Sequence, residues 1–241
     1  MPNYNLDKIK FSIDEPTWEK AADLYEKGKV KNFEEFGFEF NAVVSGASDY
    51  NVQVSAKNYN AGHCNCYLGQ NETLCKHMVA VAIMAVIGGR KLTAEEKNIN
   101  NEVKCSGKTG ELSTIDIEAV KKEISESLQY IKPYNGPSKK WFEYQDSLTE
   151  GCNRLAKILS NVPVSLQTAK LSVDLLLRLD KKLCTGGVDD SDGTVGGFIE
   201  EVVKMLLEYT ELDHSCVKSF TQLNDRETCF GWEEPLLEFK Q

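Results

Sequence analysis

The chain has 241 residues, 41 % hydrophobic and 27 % charged, a balance that fits a globular protein of one large or two small domains. Its net charge of −9 is uneven: residues 1–110 carry 13 Lys+Arg against 14 Asp+Glu, and residues 111–241 carry 15 against 23. The acidic second half repels phosphate, which argues against it as a general nucleic-acid binder, whereas the near-neutral first half permits a local basic patch. No apolar run reaches the ~18 residues of a membrane span; the longest, Met78 to Ile87, is too short. The opening MPNYNLDKIK has no apolar secretion core, so the expected setting is intracellular: cytoplasmic, or nuclear in a eukaryote. Thiols there stay reduced, and clustered cysteines read as metal ligands rather than disulfides.

In chain order, residues 11–28 predict a helix. Asp14 caps it, Pro16 sits in its first turn, Trp18, Ala21, Ala22 and Tyr25 share one face, and Gly28 ends it. From Val30 to Lys57 the period changes to two. Phe38, Phe40, Ala42 and Val44 alternate with their neighbours, Gly46-Ala47-Ser48 turns the chain, and Tyr50, Val52 and Val54 alternate again, which predicts a hairpin or small meander. Residues 58–73 are rich in turn formers, and Leu74 to Ile87 predicts an apolar helix stopped by Gly88-Gly89. Residues 90–112 are polar, and Ser106 to Gly110 reads as a linker between a module at 1–105 and a second domain at 112–241.

The second half predicts helices over Ile115–Tyr130, Trp141–Leu159, Val164–Leu183 and Phe198–Tyr209, with a further helical stretch to Phe239. The expected class is therefore α+β: a small zinc-stabilised β-hairpin/helix module followed by an acidic, all-α helical domain.

The string that carries chemistry is His63-Cys64-Asn65-Cys66, eight residues, then Cys75-Lys76-His77, or C-x-C-x8-C-x-H. Zinc takes four thiolate or imidazole donors in a tetrahedron. Two thiols one residue apart on a turn can face one ion. Residues two apart on a helix do not share a face, so Cys75 is expected at or just before the first turn of the apolar helix, with His77 inside it. The partial positive charge of a helix N-terminus stabilises a thiolate there. The polar loop from Asn58 to Thr73 has little apolar surface to bury, and a zinc ion supplies about 10–16 kcal/mol of apparent binding free energy coupled to folding. Four protein donors leave no open coordination position, which points to a structural rather than a catalytic ion. His63 adjoins Cys64, but the eight-residue spacer closes without it.

Cys64, Cys66, Cys75 and His77, preceded by two strands and followed by the apolar run Met78-Val79-Ala80-Val81, resemble a SWIM zinc finger. With the hairpin and helix, the resemblance extends over about Phe11 to Gly89 and does not reach the second half. It implies zinc as cofactor and a module that binds DNA or proteins. Such modules occur in remodelling ATPases, transposases, ubiquitin ligases and recombination factors, so a helicase, nuclease or recombination factor is the expected protein partner. There is no GxxxxGK[ST] phosphate loop in this chain, so ATPase activity would belong to another subunit.

Other residues yield weaker expectations. Lys57, Lys76, Arg90 and Lys91 flank the cluster and are the phosphate-contact candidates, against the plainer reading of a solvated rim. Lys139, Lys140 and Trp141 combine base and ring in a way that suits single-stranded bases, but Ser138 also makes a helix cap and Trp141 and Phe142 then start a core face. Asp189, Asp190 and Asp192 suggest a partner or metal loop. Counted from Asp190 as an EF-hand, however, position 6 is Val195 where glycine is needed, and capping of the next helix competes. Cys105, Cys152, Cys184, Cys216 and Cys229 are irregularly spaced and read as small buried hydrophobes. The function expected is a non-enzymatic zinc protein that binds nucleic acid with a partner protein. The alternative is a protein-interaction adaptor that docks through its acidic helical half.

Overall fold

In the computed structural model the chain forms two compact units, Met1–Ile99 and Asn100–Gln241. The structure describes residues 1–97, 99 and 101–239; the side chains of Lys139, Phe142 and Glu143 lie outside that description.

The first unit opens with two helices, α1 (Leu6–Phe11) and α2 (Glu15–Glu26), where one was expected over 11–28. The break has a local cause. Asp14 is extended, its carboxylate accepts from the Thr17 N–H, and Pro16 occupies the first turn, so a new helix starts there. Four strands follow: β1 (Val30–Phe36), β2 (Glu39–Ser45), β3 (Asp49–Ser55) and β4 (Gly62–Cys64). They form an antiparallel meander in the order β1-β2-β3-β4. The pairs Phe40↔Val54, Ala42↔Val52 and Val44↔Tyr50 put the apolar set on one face, and Phe40, Ala42, Val44, Val52 and Val54 are buried. β4 was not expected, because three residues of Gly-His-Cys carry no strand periodicity.

A single turn, α3 (Tyr67–Gln70), leads to α4 (Lys76–Ile87), which ends at Gly88 in the left-handed conformation with φ 67°. His77 to Ile83 are buried without interruption. α4 is therefore the central rod of its unit, packed against α1, α2 and the strands, which explains its lack of a polar face. The segment after it, with the short α5 (Ala94–Lys97), is tied back by the buried rings of α2. Trp18 Nε1 donates to the Lys97 carbonyl at 3.0 Å, and Tyr25 Oη donates to the Arg90 carbonyl at 2.5 Å.

The second unit is helical among its described residues: α6 (Thr114–Ser127), α7 (Trp141–Asn161), α8 (Leu166–Cys184), α9 (Thr194–Leu212) and the short α10 (Glu234–Glu238). Leu148, Leu155, Leu175, Leu179, Val202, Leu206 and Tyr209 are central in its core. The final stretch expected as helix is 3-10 over His214–Leu223 and over Cys229–Gly231 before α10. The stretch read as a linker is held in this unit. The Val103 N–H donates to Glu201, the Lys104 N–H to Ser160, and the Val164 N–H to the Lys108 carbonyl. Polar composition suggested a linker, but its backbone is tied to side chains on α9 and α7 and to the Val164 backbone ahead of α8. One cysteine reading is corrected. Cys152 and Cys216 are buried and Cys105 is half-buried, but Cys184 is exposed and forms a disulfide with Cys229.

Arg90 makes a two-pronged ion pair with Glu96. The guanidinium and the Thr93 N–H hold the Glu96 carboxyl down to about 2, from an ordinary 4.5. A depressed carboxylate stabilises the fold above its unfolded pKa and loses that contribution as pH falls through its folded one. Thermal unfolding followed from about pH 5 to about pH 2 is therefore expected to lose stability in that window, and Glu96→Gln to remove part of the loss.

Candidate metal centre

The four predicted donors arrive from three elements. Alternation along β4 turns Cys64 inward while His63, one residue earlier, is exposed. Cys66 follows two residues on and is the N-cap of α3. Cys75 is the N-cap of α4, and His77 is the second residue of that helix, as the spacing required. The donor atoms of Cys64, Cys66, Cys75 and His77 all lie within 4.8 Å of one another, and all four residues are buried. His77 presents Nδ1, which is 3.7 Å from Cys64 Sγ and 3.9 Å from Cys75 Sγ.

The surroundings favour anionic sulfur. The Cys66 N–H donates to Cys64 Sγ at 3.5 Å, and the Gly69 N–H donates to Cys66 Sγ at 3.4 Å. The Cys75 thiol is shifted strongly down, first by its sulfur contact with Cys64 and further by His77 and by the Met78 N–H at the front of α4. Its partner Cys64 is pushed up by that same contact and by burial. A divalent cation among the sulfurs would let all of them ionise. Three thiolates and one imidazole, buried and convergent, fit zinc by donor softness and by number.

Three residues that the spacing did not single out build the cradle. A Cβ on Gly69 would overlap the Cys64 carbonyl oxygen and approach Cys64 Cβ to 2.5 Å, so only glycine lets α3 close over β4. A Cβ on Gly62 would overlap the Gln53 carbonyl where β4 pairs with β3. Tyr50 stacks on the His77 ring, centroids 4.2 Å apart and planes at 21°, and so fixes the orientation of the imidazole. The glycines are visible in the sequence, but their close contacts depend on a strand that the pattern does not reveal.

The remaining candidates are dispersed. Lys57, Lys76 and Lys91 are exposed in the first unit; Lys57 Nζ lies 5.0 Å from the Phe38 ring centroid. Arg90 is exposed but engaged by Glu96. In the second unit Lys140 is exposed, the Lys139 side chain lies outside the described residues, and Trp141 Nε1 donates to Asp189 at 3.1 Å. The Asp-rich loop is a helix-start device. Asp190 accepts from the Val195 and Gly196 N–H groups, Asp192 accepts from Thr194 N–H, and Asp189 accepts from Ser191 as well as Trp141.

A short meander clamped through a closed set of four buried donors to the front of a helix defines a structural zinc-binding recognition module. The particular module is identified by comparison: residues 50–85 match the family model of the SWIM zinc finger, so the first unit carries a SWIM zinc finger and binds zinc. No curated protein and no solved structure matches the chain.

Removing zinc with a chelator is expected to lower the unfolding temperature of the first unit and to leave the transition of the second unit in place, read by calorimetry on the full chain. Zinc affinity is expected to fall with acid, because protons compete for three thiolates and an imidazole. Gly69→Ala is expected to weaken zinc binding about 10–100-fold, measured by competition with a chromogenic chelator.

Proposed function

We propose that this chain is a non-enzymatic, zinc-dependent recognition protein that binds nucleic acid through its first unit, together with a protein partner that supplies any catalysis. The observation that carries the reading is the closed donor set. Four buried protein ligands leave the ion no position for substrate, so the metal shapes a surface instead of activating a molecule. Lys57, Lys76 and Lys91 are exposed cations on that unit and are the phosphate contacts in this proposal. Arg90 contributes less, because Glu96 already neutralises it. Lys140, at the start of α7, is a secondary candidate, whereas Trp141 is half-buried and held by Asp189, which favours its packing role. The partner is of the helicase, nuclease or recombination class that the module's other settings imply. Zinc-binding thiols are kept free by a reducing compartment, which favours an intracellular site of action; the Cys184–Cys229 disulfide is the observation that weighs against it.

The uneven charge favours a second reading. With 23 Asp+Glu against 15 Lys+Arg over residues 111–241, the helical unit suits a basic protein surface better than a phosphate backbone, and the chain then acts as an adaptor. The carboxylates of Asp190 and Asp192 cap α9 and that of Asp189 holds Ser191 and Trp141, which does not favour a metal-dependent enzyme.

A salt titration separates the two readings. Nucleic-acid binding by the zinc-loaded chain is expected to weaken steeply with salt, with a log–log slope of roughly −0.7 to −0.9 per phosphate contacted. Replacing Lys57, Lys76 and Lys91 together by Glu is expected to shallow that slope by about 2 or more with zinc content unchanged. Absence of binding at low salt would leave the adaptor reading.

A further inference from the structure

One face of the meander packs on α4; the opposite face carries an unusual concentration of amides. The register places Glu34, Asn41, Gln53 and His63 in one row across all four strands, and Lys31, Val43 and Asn51 in the next. Asn32 joins them from a bulge in β1, where the pairing shifts between Lys31 and Glu34 and Asn32 has φ 50°. A bulge re-aims a side chain at a cost in backbone strain that asparagine tolerates better than most residues. Asn32, Glu34, Asn41, Asn51, Gln53 and His63 line a shallow, open hollow of about 350 Å³. Among the described residues, the side chains of Asn32, Asn41, Asn51 and His63 make no hydrogen bond within the protein, while Gln53 donates to Glu39 at 2.6 Å. Polar groups that converge on a hollow without internal partners are available to a ligand.

An exposed aromatic pair stands at the β1–β2 end of the sheet, with Phe36 on the outer face and Phe38 in the turn beyond it. Phe36 pairs with Glu39, which puts it on the outer side, and it is 77 % exposed. Phe38 at the adjoining turn is 69 % exposed, with Lys57 over its ring. Amides present a donor and an acceptor side by side and so match the edges of nucleobases, and exposed rings with a nearby cation stack on them.

We propose that this outer face is a binding site for single-stranded nucleic acid. Asn32, Asn41, Asn51 and His63 take the hydrogen-bonding edges of unpaired bases, Phe36 and Phe38 stack, and Lys31 and Lys57 meet phosphates at the margins. Glu34 and Glu39 on the same face repel a phosphate backbone laid across it, which selects splayed bases over the outside of a duplex. This site rests on the nucleic-acid reading above and gives it a ligand class and a surface.

The test uses the full, zinc-loaded chain and fluorescence anisotropy at low salt. Its probes are labelled mixed-sequence single strands of DNA and of RNA, each about 20 nucleotides long, and a DNA duplex of the same length. Single strands are expected to bind more tightly than the duplex, and the better of the DNA and RNA arms identifies the sugar. Asn41→Ala combined with Asn51→Ala, and separately Phe36→Ala, are each expected to weaken single-strand binding about tenfold without changing the salt slope. All these positions are on the outer face, and zinc content with the thermal transition verifies that each variant folds. Variants that bind single strands as the parent does, while the lysine variant weakens, would overturn this site and leave the nucleic-acid reading standing. Tighter binding of the duplex would also overturn it. Failure of every strand to bind would remove the reading and the site together.

Discussion

The polar segment between β3 and α4 depends on the convergence of four donors from separate elements: a three-residue strand, a one-turn helix and the front of an apolar rod. None of these pieces holds itself in place. β4 pairs with β3 over only three residues, and α3 is four residues long. Their burial comes from Cys64 and Cys66, whose sulfurs are held toward Cys75 and His77 on α4. α4 is itself anchored without the metal, since it is buried along seven consecutive residues against α1, α2 and the sheet. The ion therefore joins a self-sufficient core to a polar 58–75 segment whose other anchors are few: Tyr59, buried against Tyr4, and the short pairing of β4.

Much of this was legible in the sequence, for identifiable reasons. The period change at Val30 marked the meander, Gly88 marked the end of the apolar helix, and the two-residue spacing of Cys75 and His77 required the helix to begin between them. The capping reading of the Asp-rich loop likewise followed from its position ahead of an apolar helical run. These features are local, and local chemistry determines them. The short spacing of the metal ligands also carries the long-range information, because four donors within fourteen residues need little chain geometry to meet.

What escaped the sequence depends on contacts between distant residues. β4 exists because β3 offers an edge and Gly62 and Gly69 permit close approach; neither strand propensity nor alternation announces it. The Cys184–Cys229 disulfide joins residues 45 apart, where spacing carries no signal. The polar stretch before α6 is held by the Glu201 carboxylate on α9, the Ser160 hydroxyl on α7 and the Val164 backbone ahead of α8, contacts that its composition does not announce. Asn32 sits on the outer face only because β1 is bulged, and a bulge changes which side every later residue of the strand occupies.

The shortness of β4 gives the metal another role, as guardian of an edge. At the far side of the sheet, β1 is protected from further pairing by its bulge and by the exposed carboxylates of Glu34 and Glu35. β3 has no such protection of its own; its outer edge is covered by β4, and β4 is retained by Cys64. A chain stripped of its ion would uncover the amide and carbonyl groups of β3 beside Val52 and Val54, a ready template for another molecule's strand. Loss of zinc would then make the protein adhesive, and occupancy of the finger would govern its solubility.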